Sequence, residues 1–309
     1  MILLISADND TMTDEICTWL SYQGKEFVRL SENQHITNVF FDFSKNIFKI
    51  FINNIEYDLS NFKSVFYRNG GICYDEIIKE KIDRNLIEFY NSELRTITKF
   101  IYYYLNTNGA NIFGNLVTQE VNKLEVLFLA KSLGLKIPDT YILSQLKDLK
   151  YINTSQKYVT KAVSEMKPIF VDNQLYLNYT HEIDFNQIHN KKENIIPSLV
   201  QRKINSIYEI RAFFFEKKIW AIATYDFSNN IDIRNIKESE KKYLPCKLPI
   251  DIQRKIHKMA KTLGLKCGTI DLIKSDDDFY FLEVNPLGQF HQISYYGNYH
   301  IEKYIAKLL

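Results

Sequence analysis

Glycine is scarce in this chain of 309 residues: only 10 stand beside 21 Tyr and 21 Phe. Few tight loops and aromatic-rich sheets are the expectation. Cysteine is scarcer still. Cys17, Cys73, Cys246 and Cys267 are the only 4, and none stands at C-x-x-C spacing. That excludes the common zinc frameworks and a disulfide scaffold, and leaves isolated buried thiols in a reducing compartment. The 6 histidines (His35, His181, His189, His257, His291 and His300) lack ligand spacing and read as surface or packing residues. No Ser-His-Asp or Cys-His pattern is visible. No apolar run reaches the length of about 18 residues that a membrane-spanning helix needs. The apolar start, Met1 to Ile5, lacks a basic flank and is cut off by Asp8, unlike a secretory signal. Charge of one sign is missing too: 39 Lys and Arg against 37 Asp and Glu give +2. With no polybasic run, neither nucleic acid nor a membrane is an expected partner. A cytoplasmic protein is the expectation.

What is present is ordinary globular material, 46% apolar and 25% charged, enough for one large core or two to three subdomains. Ile2 to Ile5 reads as a buried strand, followed by a helix from Thr13 to Tyr22 that Asp10, Thr11 or Thr13 can cap. Strands are expected at Val39 to Phe43, Ile47 to Ile52 and Ser64 to Arg68. A long helix over Leu86 to Tyr104 follows, with Leu86, Phe89, Tyr90, Leu94, Ile97, Ile101 and Leu105 at helical spacing. This alternation implies an open α/β unit, which Asn106-Thr107-Asn108-Gly109 closes. A second helix over Val121 to Leu133 is expected to bury Leu124, Leu127 and Phe128, with Gly134 as its stop. Lys150 to Asn194 alternates strands and turns. Arg211 to Tyr225 reads as a hairpin turning at Glu216-Lys217-Lys218, and a helix runs from Ile250 to Leu263 before Gly264. No repeat or low-complexity linker interrupts the chain.

The most informative segment is near the carboxyl end. Gly268 to Ile273 and Phe281 to Asn285 flank the polar turn Ser275-Asp276-Asp277-Asp278 and read as an antiparallel hairpin. A register centred near Asp277 sets Asp271 opposite Glu283, and strand alternation puts Asn285 on the face of Glu283. Three oxygen-bearing side chains then converge, as hard cations such as Mg²⁺ prefer. Pro286 ends the strand after the last of them. A solvated hairpin whose acids face water is the alternative reading.

Asp271…Glu283-Val284-Asn285-Pro286 resembles the metal-binding end of the ATP-grasp fold. Asn122-Lys123-Leu124, leading to Gly134-Leu135-Lys136-Ile137-Pro138-Asp139-Thr140, is similar to the entry into ATP-grasp domains of the ribosomal-S6 glutamate-ligase type. Tyr158-Val159-Thr160-Lys161 resembles the strand with the second ATP-binding lysine. Leu199-Val200-Gln201-Arg202-Lys203-Ile204 resembles the adenine hinge. Glu209-Ile210-Arg211 and Asp232-Ile233-Arg234-Asn235 resemble the family's "DIR" and "RxN" elements.

The resemblance implies an α/β ATP-grasp fold. A pre-ATP-grasp α/β domain and linking helix would fill residues 1–108. The ATP-grasp domain would occupy 109–309, with a nucleotide-covering subdomain over 109–196 and a metal-binding subdomain over 197–309. It further implies ATP and Mg²⁺, with Asp271, Glu283 and Asn285 on the metal and Asn285 also near the nucleotide. Lys123, Lys161 and Glu209 would reach the nucleotide, and Gln201, Arg202, Lys203 and Ile204 would line the adenine. Arg211 and Arg234 would stabilise charge on the γ-phosphate and on an acyl-phosphate. Two departures stand out. Ala162-Val163-Ser164-Glu165-Met166-Lys167-Pro168 has no glycine where many relatives have a glycine-rich lid, and Arg202 replaces a common hinge glutamate.

Within that fold, Ile5-Ser6-Ala7-Asp8-Asn9-Asp10, Thr18-Trp19-Leu20 and Val28-Arg29-Leu30 resemble the start of peptide-maturing enzymes. Phe66-Tyr67-Arg68-Asn69-Gly70 resembles their "YRRG" element, with Asn69 in place of the second arginine. The group includes the microviridin-type graspetide synthetases and the grasp-with-spasm maturases. Membership implies activation of Asp or Glu side chains on a leader-bearing ribosomal precursor peptide. Those carboxylates would be joined to Ser, Thr or Lys as macrolactones or macrolactams, by a homodimeric enzyme. A ligase that adds an amino acid to a protein or small-molecule carboxylate is the alternative. A degenerate nucleotide-binding module is a third.

Overall fold

The structure, a computed structural model, describes residues 1–75, 84–114, 121–164, 169–171, 174–176, 180–185, 194–226 and 241–309. The amino-terminal lobe is built on strands β1 (Ile2–Ile5), β2 (Phe27–Leu30), β6 (Ser64–Tyr67) and β7 (Asn111–Phe113). They form a four-stranded parallel sheet in the order β2-β1-β6-β7. The last of these strands lies beyond residue 108, where the sequence alone divides the chain. Helix α1 (Thr11–Tyr22) starts at Asp10, whose carboxylate accepts from the Thr13 amide at 2.8 Å. Of the three possible caps, Asp10 is the one used. Between β2 and β6 the chain makes an antiparallel meander, β3 (Ile36–Asp42), β4 (Ile47–Ile52) and β5 (Ile55–Asp58).

The continuous apolar run of β1 follows from burial on both faces of its sheet. Leu3 and Ile5 pack with Phe48, Ile50 and Ile52 of the meander and with Ile101 and Leu105 of the long helix α2 (Arg84–Thr107). Ile2 and Leu4 face the other way, toward α1, the short helix α5 (His291–Gly297) and the carboxyl-terminal helix α6 (Ile301–Leu308). Only the distal part of α2 is buried. Leu86 and Phe89, expected on its apolar stripe, are exposed.

The second half contains two larger sheets. One is four-stranded, β12-β9-β13-β8, from β8 (Thr140–Gln145), β9 (Tyr158–Lys161), β12 (His181–Glu182) and β13 (Asn194–Arg202). A small hairpin, β10 (Ile169–Val171) with β11 (Gln174–Tyr176), lies in the same stretch. The other sheet is five-stranded and antiparallel, in the order β16-β15-β14-β17-β18. Its members are β14 (Tyr208–Phe215), β15 (Lys218–Asp226), β16 (Lys241–Cys246), β17 (Cys267–Lys274) and β18 (Phe279–Asn285). Helices α3 (Lys123–Ser132) and α4 (Ile250–Thr262) cover one face of it, against Ile210, Ala212, Phe214, Ile270 and Leu272. On α3 the buried residues are Val126, Leu127 and Ala130. Leu124 and Phe128, expected in the core, are exposed because the sheet meets the helix on the next face round.

The opposite face of the five-stranded sheet meets the amino-terminal lobe. Phe213, Phe215 and Ile222 pack with Ile2, Leu4, Phe66 and Phe113 in one continuous core. Phe215 is fully buried and stacks on Phe113 with ring centroids 4.6 Å apart. The two lobes are therefore held in register by aromatic packing rather than by a flexible tether. Among the described residues no helix is long and apolar enough to cross a membrane.

Phe215→Ala removes the centre of this inter-lobe core and should cost about 3–5 kcal/mol, as deletion of a buried phenyl ring usually does. Urea unfolding checks this. A loss below about 1 kcal/mol would show that the lobes do not depend on this contact.

Candidate active site

The site grows out of strand pairing. Arg211 on β14 pairs with Asp271 on β17, and Asp271 pairs with Glu283 on β18. One row further on, Phe213, Thr269 and Asn285 line up in the same way. Directly paired residues point to the same side, with Cβ atoms about 5 Å apart. Glu209 lies two residues before Arg211 and shares its face. The face that carries Phe213, Phe215 and Ile222 against the other lobe thus turns polar at one end, where Arg211, Asp271, Glu283 and Asn285 collect.

A β-bulge sets this register. Asp271 pairs with Glu283 but Leu272 pairs with Phe281, so Leu282 is an extra residue on β18. The turn is tight, with the Ser275 amide donating to the Asp278 carbonyl at 2.9 Å. Without the bulge, Asp271 would pair with Leu282 and Glu283 would face the other side.

Arg211 Nε lies 3.8 Å from Asp271 Oδ1, an ion pair of half-buried groups. The Arg211 guanidinium also donates to Gln289 Oε1 at 3.4 Å. Asn285 Oδ1 accepts from the Leu287 amide at 2.9 Å, which closes a short side-chain turn across Pro286. Gly288 completes the bend at φ +59, where a Cβ would sit 2.8 Å from the Phe213 ring. Only glycine fits there.

Beside the edge strand β18 lies a pocket lined by Val121, Lys123, Val126, Leu127, Lys161, Leu199, Leu282, Glu283 and Val284. It brings together three residues far apart in sequence: Lys123 at the start of α3, Lys161 at the end of β9, and Glu283. Asn122 caps α3 by accepting from the Leu124 and Glu125 amides, which fixes where Lys123 emerges. Lys123 Nζ donates to the Ser164 carbonyl at 3.0 Å. Two lysines and one carboxylate therefore line a single pocket among apolar side chains, a set suited to a polyphosphate with its divalent counter-ion.

The hinge residues lie on and just after β13, outside the lining of that pocket. Gln201 is buried and donates to Thr140 Oγ1 at 3.0 Å. Arg202 Nε is 3.0 Å from Asp139 Oδ2, close enough for an ion pair but too misaligned for a hydrogen bond. Lys203 Nζ donates to Glu182 Oε2 at 2.9 Å and holds that carboxylate below its usual range. The Arg202 and Lys203 amides donate to the carbonyls of Asp139 and Lys157, and Ile204 is buried. Arg234, with Asp232, Ile233 and Asn235, lies outside the described residues. Thiol chemistry is absent from the described site: burial pushes Cys267 up to about 12 and Cys17 and Cys246 to about 11.

No protein-family model and no curated protein matches this sequence. Solved structures do. A RiPP-associated ATP-grasp ligase of Chryseobacterium gregarium, in complex with ADP and a leader and core peptide, superposes with a TM-score of 0.78. The match has 22% identity and covers 100% of this chain and 96% of that one. A Microcystis aeruginosa macrocyclase bound with a precursor peptide gives a TM-score of 0.77 at 20% identity, over 100% of this chain and 98% of that one. The ATP-grasp ligase PsnB, complexed with a minimal precursor, Mg and ADP, gives 0.76 at 14% identity over 99% and 96%. The chain has the ATP-grasp fold.

Within the ATP-grasp frame, the donor set fits a magnesium ion. Asp271 and Glu283 offer carboxylate oxygens and Asn285 an amide oxygen with a lone pair to spare beyond Leu287. Among the described residues no three His, Cys, Asp or Glu stand together. A cation here would complete its shell from phosphate oxygens and water, the usual habit of Mg²⁺. Across from Asn285, the buried Thr269 hydroxyl has no hydrogen-bond partner among the described residues.

One residue of consequence was visible in the sequence only as part of a motif. Arg68 directly follows β6 in the amino-terminal lobe, is 3% exposed, and donates to the Leu287 carbonyl at 2.9 Å. Its Nε lies 3.7 Å from Asp10 Oδ2. Burial lowers the Arg68 pKa, and the Asp10 carboxylate opposes that shift.

Lys161→Ala should weaken ATP binding roughly ten- to a hundredfold, the usual worth of a hydrogen bond to a charged group. Calorimetry with a non-hydrolysable ATP analogue measures it. Unchanged affinity would remove Lys161 from the nucleotide site.

Proposed function

We propose that this protein is an ATP-dependent ligase that closes rings in a ribosomal precursor peptide by joining Asp or Glu side chains to Ser, Thr or Lys side chains. The observation that carries the proposal is the pocket that Lys123, Lys161 and Glu283 line together, one strand away from the Arg211–Asp271 pair. Solved neighbours held with ADP, a leader and core peptide, or a precursor peptide support it.

In this reading Lys123 and Lys161 draw the phosphates of ATP into the pocket from two sides, with Glu209 and the hinge Gln201 to Ile204 toward the nucleoside. Asp271, Glu283 and Asn285 would hold Mg²⁺, whose contribution when bound would be charge neutralisation at the phosphates. An oxygen of the peptide carboxylate attacks the γ-phosphorus, the bond to the β-phosphate oxygen breaks, and ADP leaves. Arg211 lies where negative charge accumulates, and Arg234 is assigned the same role at the acyl-phosphate. The hydroxyl or amine of the acceptor side chain then attacks the acyl carbon. Phosphate departs with the former carboxylate oxygen, and the acceptor proton passes to it or to solvent. No enzyme nucleophile is required.

The division into a leading domain over 1–108, a nucleotide-covering part over 109–196 and a metal-binding part over 197–309 belongs to the same proposal. So do action in the cytoplasm, where ATP is made, and a homodimer. The exposed Leu86, Ile87 and Phe89 at the start of α2 are apolar surface that supports the reading as a dimer.

Co-expression with a short precursor encoded beside this chain tests the proposal. Each ring should consume one ATP and lower the peptide mass by one water, as read by mass spectrometry, and Glu283→Ala should abolish the loss while the protein stays folded. A mass gain of one amino-acid residue would establish the tail-adding ligase instead. ATP turnover on a free amino acid, with every such precursor unchanged, would refute ring closure.

A further inference from the structure

The metal-binding end of β18 does not stand alone. After Asn285 the chain crosses to the amino-terminal lobe, where the Leu287 side chain packs against the core of the parallel sheet and meander. The Leu287 peptide unit is held on both sides. Its N–H donates to Asn285 Oδ1 at 2.9 Å, and its carbonyl accepts from Arg68 Nη1 at 2.9 Å. Arg68 in turn stands over Asp10, the residue that caps α1, at 3.7 Å. The four groups form one chain: the α1 cap, a buried guanidinium, a single peptide unit, and a side-chain amide on the site.

Other contacts narrow what Arg68 can do. Its side chain is 4% exposed, so it cannot meet a peptide or nucleotide directly. The far end of the same loop is tied by Arg211 to Gln289 at 3.4 Å. Asn285 is therefore oriented from the amino-terminal lobe through Leu287, and the loop is pinned from the sheet through Gln289. Without the first tie, the Leu287 unit is free to rotate, and the Asn285 oxygen loses the partner that fixes its direction.

We propose that Arg68 is a positioning residue: it aims the Asn285 oxygen at the divalent cation by clamping the Leu287 carbonyl, and so makes metal affinity depend on docking of the amino-terminal lobe. This rests on the reading of Asn285 as a metal ligand. It adds a residue of the other lobe, 217 positions away in sequence, to the machinery of that site.

The test is a double-mutant cycle read by Mn²⁺ binding in the presence of ADP, followed by electron paramagnetic resonance rather than by turnover. Arg68→Gln should weaken Mn²⁺ binding about tenfold, the low end of what loss of an outer hydrogen-bond partner costs a metal site. ADP binding without metal should stay within about twofold. In an Asn285→Ala background, Arg68→Gln should have no further effect on Mn²⁺. An equal weakening in both backgrounds, or none in either, overturns the proposal. If Asn285→Ala alone leaves Mn²⁺ affinity unchanged, it is the ligand assignment that fails, a separate result. Should Arg68→Gln not fold, Asp10→Asn keeps an oxygen to cap α1 while removing the charge that faces Arg68. It should weaken Mn²⁺ several-fold when Asn285 is present and not when it is absent, and equal effects overturn the proposal as before.

Discussion

Everything at the site depends on the register of three antiparallel strands. Arg211, Asp271 and Glu283 face one another only because β14, β17 and β18 pair as they do, and a slip of one residue would bury the acids and expose the core. The register has two anchors. On the lower part of the sheet, alternating residues are committed to opposite cores: Phe213 and Phe215 to one lobe, Ala212 and Phe214 to helices α3 and α4. Near the turn, the extra residue Leu282 shifts β18 by one place, so that Glu283 meets Asp271 and Leu282 becomes part of the pocket wall. Hydrophobic burial thus fixes the position of the charges, and not the reverse.

The charges are arranged for a polyanion and its counter-ion. Lys123 and Lys161 come from separate elements, a helix start and a strand end, and meet only in the folded chain. Arg211 is held partly by Asp271, which keeps a cation next to a candidate metal ligand before any substrate arrives. Such preorganisation is how a site stabilises developing charge without reorganising during reaction. The amino-terminal lobe takes part through the loop from Asn285 to Gln289, where Gly288 alone permits the close approach to Phe213.

Much of this was legible in the sequence where local rules act. Strand β1, strand β4 and the Asp10-capped helix follow from apolar runs and a capping carboxylate. The hairpin register centred near Asp277 was right at Asp271 and Glu283, although the turn itself pairs Lys274 with Phe279 and the bulge makes up the difference. No local signal marks that bulge. The buried side of α3 was misjudged at Leu124 and Phe128 because apolar residues surround that helix and only its neighbours decide which face is covered. The contacts of Arg68 with Leu287 and of Lys203 with Glu182 were invisible for a different reason. The first joins two lobes and the second joins β12 to the residue just after β13 of the same sheet, so neither adjacency follows from spacing along the chain.

The most direct measurement is a crystal structure with ADP and Mn²⁺, with the metal located by its anomalous scattering. The account predicts an anomalous peak bridging phosphate to the oxygens of Asp271, Glu283 and Asn285, at the roughly 2.0–2.2 Å expected for a small divalent cation on hard oxygens. A peak held by other residues, with those three side chains turned to solvent, would contradict it.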